Sequence, residues 1–303
     1  MEIHLVTDGL QFPEGPIAMA DGSIILVEIE GQRLTRVTPD GQKTVVAETG
    51  GGPNGAAIGP DGKIYVTNNG GSFHWLKQNG LTIPGPTPPE HKGGYIQRVD
   101  IASGKVETVY DACDGEPLNG PNDLVFDKQG GFWFTDHGCG TPDGRKHGAL
   151  LYAKPDGSHI SRPRGHFVSP NGVGLSPDET VVYMADTQLG RLWAFDIERP
   201  GVLKAQEGFG PGRVICNLQG YQLLDSLAVE ASGKVCVATI INGGITAFDP
   251  NGSTEHFPFP DLITTNICFG GPDMHDAWIT CSSTGKLFKC RWPRPGLKLN
   301  FNA

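Results

Sequence analysis

One spacing recurs six times along the chain and limits what it can fold into. An acidic residue or an Asn stands just before a short apolar run, at Glu14, Asn54, Asn122, Asn171, Asp225 and Asn266. A second residue, polar in five of the six cases, follows at Glu28, Asn68, Asp136, Asp186, Thr239 and Cys281, with offsets of 14, 14, 14, 15, 14 and 15. Between the two lie a strand-like run, a turn such as Asp21-Gly22, Pro60-Asp61-Gly62 or Pro272-Asp273, and a second strand-like run. The lead residues are 40, 68, 49, 54 and 41 positions apart. Repeats of about 40–50 residues built from short strands predict a β-propeller. Helical solenoids of similar period need a 3.6-residue apolar rhythm, which is missing here. A β-sandwich does not repeat one turn at one offset. The expectation is an all-β fold, a six-bladed β-propeller occupying 1–303 as a single domain.

The third repeat shows the unit. Asp123–Phe126, Phe132–Thr135 and Ala149–Ala153 read as successive strands, with a fourth inside Ile160–Phe167. Ile3–Val6 precedes the first lead and is expected to complete the last blade beside Lys286–Arg291, removing an open sheet edge and closing the ring. The 68-residue gap contains an insertion at about 70–94, rich in Gly and Pro and carrying Phe73, His74 and Trp75. It leaves directly after Asn68-Asn69, on the face of the lead residues, and reads as a lid.

Composition narrows the partners. The formal net charge is −9, and no Lys/Arg cluster exceeds a pair, which argues against nucleic acid and anionic membrane surfaces. No run of about 18 apolar residues is present to span a bilayer. The start lacks the basic and apolar regions of a secretory signal. Seven cysteines, odd in number and without CxxC spacing, suit reduced thiols. A cytoplasmic protein, monomer or homodimer, is expected.

Chemistry follows from where the lead residues go. In a hairpin, the start of one strand and the end of the next lie at the same end. In a propeller all innermost strands line the central channel in one direction, so leads and partners are expected to ring one mouth. Glu14 and Asp225 supply carboxylates, and Asn54, Asn122, Asn171 and Asn266 supply amide carbonyls. Two negative charges with neutral oxygens suit one hard divalent cation, Ca²⁺ first, with Mg²⁺ and Mn²⁺ next. Zn²⁺ and Fe²⁺ remain alternatives, although Zn²⁺ more often recruits His or Cys. The competing reading is that each Asn or Asp only ties a strand end to local backbone. That reading is weakest for Glu14, since Pro13-Glu14-Gly15-Pro16 gives a turn no use for a long carboxylate. His137, next to Asp136, is placed inside the mouth as a substrate contact. No Gly-x-Ser-x-Gly elbow and no convincing phosphate or dinucleotide loop appears.

At these residues the chain resembles the gluconolactonase / senescence-marker-protein (regucalcin) / luciferin-regenerating-enzyme family, in its bacterial gluconolactonase-like branch. The matching segments are Phe12–Pro16, Gly120–Asp127 with Phe132–Asp136, Ser169–Asp178, Leu224–Glu230 and Phe269–Gly271. The resemblance implies a metal centre on Glu14, Asn171 and Asp225, with Asn122 as ligand or substrate contact. It implies hydrolysis of a small lactone, with the cation as Lewis acid and Asp225 as base or water-orienting group. Animal-type sugar lactonases carry Arg two residues before this Asn; here the position is Gly120. Phe73 and Trp75 are then expected to form an apolar substrate rim. A phosphotriesterase or arylesterase on the same site, a strictosidine-synthase-like propeller and a non-enzymatic ligand-binding propeller are the alternatives.

Overall fold

The apolar runs pair as hairpins, and the hairpins stack into six antiparallel sheets. A computed structural model describes residues 1–206 and 208–302. Every named element among them is a β-strand. The innermost strands are Pro13–Ala18, Pro53–Ile58, Pro121–Phe126, Pro170–Leu175, Leu223–Val229 and Thr264–Gly270. Each packs against the next, and Thr264–Gly270 packs back against Pro13–Ala18, so the inner strands form a ring of six. The expected third blade holds: Pro121–Phe126, Phe132–Asp136, Gly148–Ala153 and Ile160–Phe167 pair in that order. Ile3–Thr7 lies antiparallel to Lys286–Arg291, with Ile3 opposite Cys290 and Leu5 opposite Phe288.

The core is divided by the same geometry. Six buried apolar clusters lie between neighbouring blades rather than inside them. Tyr65 of the second blade, for example, meets Phe126 and Phe132 of the third at ring centroid distances of 5.2 and 5.9 Å. Burying aromatic faces between blades couples their positions, because close-packed interiors transmit displacement.

Polar stitches set the inner strands against one another. The Thr67 hydroxyl donates to the Asn122 carbonyl oxygen at 2.6 Å, from the second blade to the third, and accepts Gly55 N–H at 2.9 Å. Thr135 does the same for the Asn171 carbonyl of the fourth blade, and Ser282 for the Pro13 carbonyl of the first. The residue after three of the leads is Gly, and the ring explains it. A Cβ on Gly55 would stand 2.6 Å from the Asn122 carbonyl oxygen, and one on Gly172 would stand 2.7 Å from the Leu227 nitrogen.

The insertion is not a bare loop. Trp75–Gln78 and Leu81–Pro84 form a hairpin, Thr82 N–H bonds the Ser283 carbonyl at 2.9 Å, and Lys77 pairs with Glu30. It is tied to the first and last blades. At the other end of the channel, Asn300 reaches the Phe126 carbonyl at 3.1 Å and Phe301 sits edge-on to Phe126. Leu297, Leu299 and Asn302 close a small cavity of about 80 Å³ along the axis.

Thr67→Val keeps the shape and removes a buried donor and acceptor. It should lower unfolding stability by about 1–3 kcal/mol, measured as a shift of the denaturant midpoint at constant slope.

Candidate metal centre and substrate cavity

Each lead residue sits at or inside a break in strand pairing. The register slips between Glu14 and Ile17, Pro53 and Gly55, Pro121 and Leu124, Pro170 and Val173, Leu224 and Leu227, and Thr264 and Asn266. Such bulges re-aim a side chain and are common beside active sites. Here they loosen the strict alternation of faces at the start of every inner strand.

The six leads are not equivalent. Glu14 Oε2 accepts the Asn266 amide at 2.7 Å and its neighbour's Gly15 N–H at 2.8 Å, while Oε1 has no partner. Asn122 Oδ1 is also buried without a donor. Asn171 donates to Thr187 Oγ1 at 3.1 Å and also hydrogen-bonds Asp225. Asp225 keeps partial access to solvent. Asn54 is buried, and Asn266 is occupied with Glu14 and its own strand.

A third carboxylate, which the sequence reading left in the strand, joins these. Asp123 follows Asn122 and is buried; it accepts Leu124 N–H at 2.9 Å, and Ser226 and Val173 also bond to it. Ser226 Oγ lies 3.4 Å from Asn171 Oδ1 and so stands between Asn171 and Asp123. Simple alternation turns Asp123 away from Asn122; the bulge at Pro121–Leu124 admits both to the axis. The tandem Asn122-Asp123 at a strand start is the signal that would have revealed it.

Burial raises all three acids. Glu14 is pushed up to about 7, the loss of water outweighing its bonds to Asn266 and Gly15. Asp123 is pushed up to about 8 by burial and by the Glu14 charge. Asp225 is held well above the ordinary carboxylate range by burial, then by Glu14 and Asp123. The donor set is oxygen only, two of its oxygens lack donors, and extra positive charge would relieve the repulsion. Those three properties fit a hard divalent cation. No three His, Cys, Asp or Glu groups are placed to hold a metal by themselves among the described residues. The amides of Asn122 and Asn171 must therefore complete any such set.

Four of the six second residues of the repeat do not enter this centre; they fasten strand ends. Asp136 accepts Asn119, Gly120 and Gly138 N–H at 2.7, 2.8 and 2.8 Å. Asp186 holds Ser169, Glu28 holds Gln11, Arg33 and Thr35, and Asn68 accepts Gly52 N–H. They lie at the same strand ends as the leads, as the hairpin geometry predicts, opposite Pro13, Pro53, Pro121 and Pro170, but their side chains turn to backbone.

Above the third blade lies a cavity of about 740 Å³, walled on one side by the 72–93 insertion and on the other by the hairpin Cys139–Thr141/Gly144–Lys146. Gly140 N–H bonds Thr87 Oγ1 at 3.0 Å and joins the two walls. Asn119 and Gln188 line it, placing it over the segments that lead into Asn122 and next to Thr187, the partner of Asn171. His137 and Phe73 line it as well; Trp75 does not, packing instead on Phe12 and Phe73 at 4.9 and 5.8 Å. Arg145 Nη2 donates to His137 Nδ1 at 2.8 Å. That leaves the neutral ring with its proton on Nε2. Burial and then the Arg145 charge pull His137 down to about 3. Gly120 has its own explanation: a Cβ there would stand 2.8 Å from the Gly138 carbonyl oxygen.

A family model described as the SMP-30/Gluconolactonase/LRE-like region matches residues 12–283. The chain belongs to the SMP-30/gluconolactonase/LRE-like family. Within that family it is similar to a gluconolactonase of Zymomonas mobilis, 25% identical over 88% of this chain and 76% of that protein. Its fold is that of a Xanthomonas campestris gluconolactonase, with TM-score 0.76, 23% identity and coverage of 96% and 89% of the two chains. A calcium-binding regucalcin of Agrobacterium tumefaciens shares the fold at TM-score 0.74, with 18% identity and 98% of both chains covered. Relatives named lactonase, from Staphylococcus haemolyticus among others, also match, at 27% identity over 82% of this chain and 70% of that protein.

The raised carboxylates carry a pH signature. Held near 7 and 8, Glu14 and Asp123 favour folding while protonated. That stability is complete below their ordinary values of 4.5 and 3.8 and is lost as pH rises through about 7 to 8. With a chelator present, the melting temperature should fall from pH 5 to 8; Asp123→Asn should flatten the fall, and Ca²⁺ should reverse it.

Proposed function

We propose that this lactonase-family enzyme opens the ring of a small lactone at the axial carboxylate–amide centre, using one divalent cation. Glu14, Asn171, Asp225 and Asn122 would hold that cation, with Ca²⁺ the leading choice. The observation that carries the reading is the pair of buried, donorless oxygens, Glu14 Oε1 and Asn122 Oδ1, beside carboxylates that burial and mutual repulsion raise. When bound, the cation supplies Lewis-acid polarisation of the lactone carbonyl and neutralises the carboxylate charge.

This chain's residues do the rest. Asp225 is the one axial carboxylate with partial solvent access. It accepts a hydrogen bond from the attacking water and orients its lone pair toward the carbonyl carbon. The water oxygen bonds to that carbon while one of its protons passes to Asp225. The acyl C–O bond of the ring then breaks, Asp225 returns that proton to the ring oxygen, which leaves as a hydroxyl, and the new carboxylic acid loses its own proton to solvent. Asn171 fixes Asp225 by a hydrogen bond. His137, neutral at working pH, offers its Nε2 proton to a ring oxygen or hydroxyl, while Phe73 supplies the apolar wall. Trp75 acts by packing behind Phe73.

Glu14→Gln and Asp225→Asn should each cut kcat/KM on the best lactone by more than about 100-fold, beyond the loss typical of groups outside the ligand shell. Chelation should abolish turnover and Ca²⁺ restore it. Full activity in Asp225→Asn, or a preference for phosphotriesters and aryl esters over every lactone tested, would sink the reading.

We also read Ile3–Thr7 as the clasp of the ring, since it supplies the outer strand of the blade that ends with Lys286–Arg291. Removing residues 1–7 should uncover that edge, lower the melting temperature and promote self-association, seen by light scattering.

A further inference from the structure

The cavity above the third blade has a charge opposite to that of the protein. The chain carries a net charge of −9, yet among the described residues lining this cavity there is no Asp or Glu. Its charged lining is basic: Lys92 from the insertion, and Arg145 and Lys146 from the hairpin, with His91 and His137 beside them. The nearby acids are turned to other uses or lie outside the wall. Asp136 spends its carboxylate on three backbone N–H groups; Asp186 gives Oδ1 to Ser169 and keeps Oδ2 buried without a donor, and neither acid lines the cavity. Asp143, at the hairpin tip, and Glu90 are exposed and do not line the cavity.

Arg145 is the centre of this arrangement. Its guanidinium is half-buried and forms no ion pair among the described residues. Nε donates to the Val168 carbonyl and Nη2 to the His137 carbonyl and ring, so two sides are fixed by neutral acceptors. Nη1 has no acceptor among the described residues. Burial lowers the Arg145 pKa, and the nearby Asp186 and Asp136 carboxylates only partly offset it. A fixed, partly desolvated guanidinium without a counter-ion is matched by a carboxylate, which it can meet with two parallel hydrogen bonds.

We propose that the cavity reads an anionic substrate: a lactone that bears a free carboxylate, held by Arg145 with Lys92 and Lys146 on the rim. The proposal rests on the lactonase reading and names its substrate class. The axial centre would take the lactone carbonyl while Arg145 takes the carboxylate. The neutral His137 ring, fixed by the same guanidinium, would face the hydroxyls between them.

A matched pair of substrates tests this: an aldonolactone, and the aldarolactone that differs only by a carboxylate in place of the terminal hydroxymethyl group. The wild-type enzyme should favour the acidic lactone in kcat/KM by about 10- to 100-fold, the worth of a charged hydrogen-bonded pair. Arg145→Gln should erase that ratio chiefly through KM of the acidic lactone, and Arg145→Lys should restore part of it. Raising the salt should raise KM for the acidic lactone and leave that of the neutral one, a readout that needs no variant. Equal use of the two lactones by the wild type, or an unchanged ratio in a folded Arg145→Gln protein, overturns the proposal. Calorimetry with the ring-opened dicarboxylate and monocarboxylate separates the two readings. Arg145-dependent preference for the dicarboxylate without turnover of any lactone keeps this proposal and removes the lactonase reading. Turnover of neutral lactones without that preference does the reverse.

Discussion

Bulges at the starts of the inner strands are the constraint on which the rest of the molecule depends. In a regular strand, successive side chains point to opposite faces, and only every second residue can look down the axis. The register slips at Pro121–Leu124 and its five counterparts release that rule where the strands converge. Asn122 and Asp123 can then both serve the channel. The stitch from Thr67 to the Asn122 carbonyl, and its counterpart from Thr135 to the Asn171 carbonyl, keep these irregular segments in place. Glycines at 55 and 172 allow the approach, because a methyl group there would collide with the neighbouring blade's backbone.

Concentrating Glu14, Asp123 and Asp225 on one axis has an energetic consequence. Ionised carboxylates stripped of water and close to one another are unfavourable. Burial therefore raises each of them, and repulsion adds to the effect at Asp123 and Asp225. The surrounding amides answer unevenly: Asn266 is committed to Glu14, Asn171 to Thr187 and Asp225, while Asn122 Oδ1 is left without a donor. Six positions equivalent in the repeat thus acquire different roles once the ring is closed. Over the third blade the sign of charge reverses, since Arg145 lines a cavity that has no Asp or Glu among its described lining residues and bonds only neutral acceptors there. In the proposed reading, acidic axis and basic wall would serve as two ends of opposite polarity for one substrate.

Much of this was legible in the chain. The offsets from 14 to 15 residues named six hairpins, and strand boundaries in the third blade agreed to within two residues at each end. Glu14 stood out because its carboxylate had no local use, and the structure gives one of its oxygens no donor. Asp123 was not legible, because strand alternation hides a residue that a bulge exposes. Nor was Arg145. It lies in an eight-residue hairpin with no counterpart in the repeat, and its neighbour His137 is eight positions away. The second residues of the repeat were legible in position but not in role. Their spacing is as regular as that of the leads, yet Glu28, Asn68, Asp136 and Asp186 turn to loop backbone and leave the axis to the leads.

The sequence by itself determined the number of blades, the convergence of the leads and the oxygen-only character of the centre. These depend on local patterning: apolar alternation, turn residues and fixed offsets act within a few dozen positions. Tertiary structure decided which leads keep free oxygens, that Asp123 joins them, and that Arg145 faces a cavity without acids. Those outcomes depend on groups brought together from different blades, as when Asn266 crosses 252 positions to reach Glu14. Electrostatic and hydrogen-bond partners are chosen by distance in space, and no spacing along the chain encodes that distance.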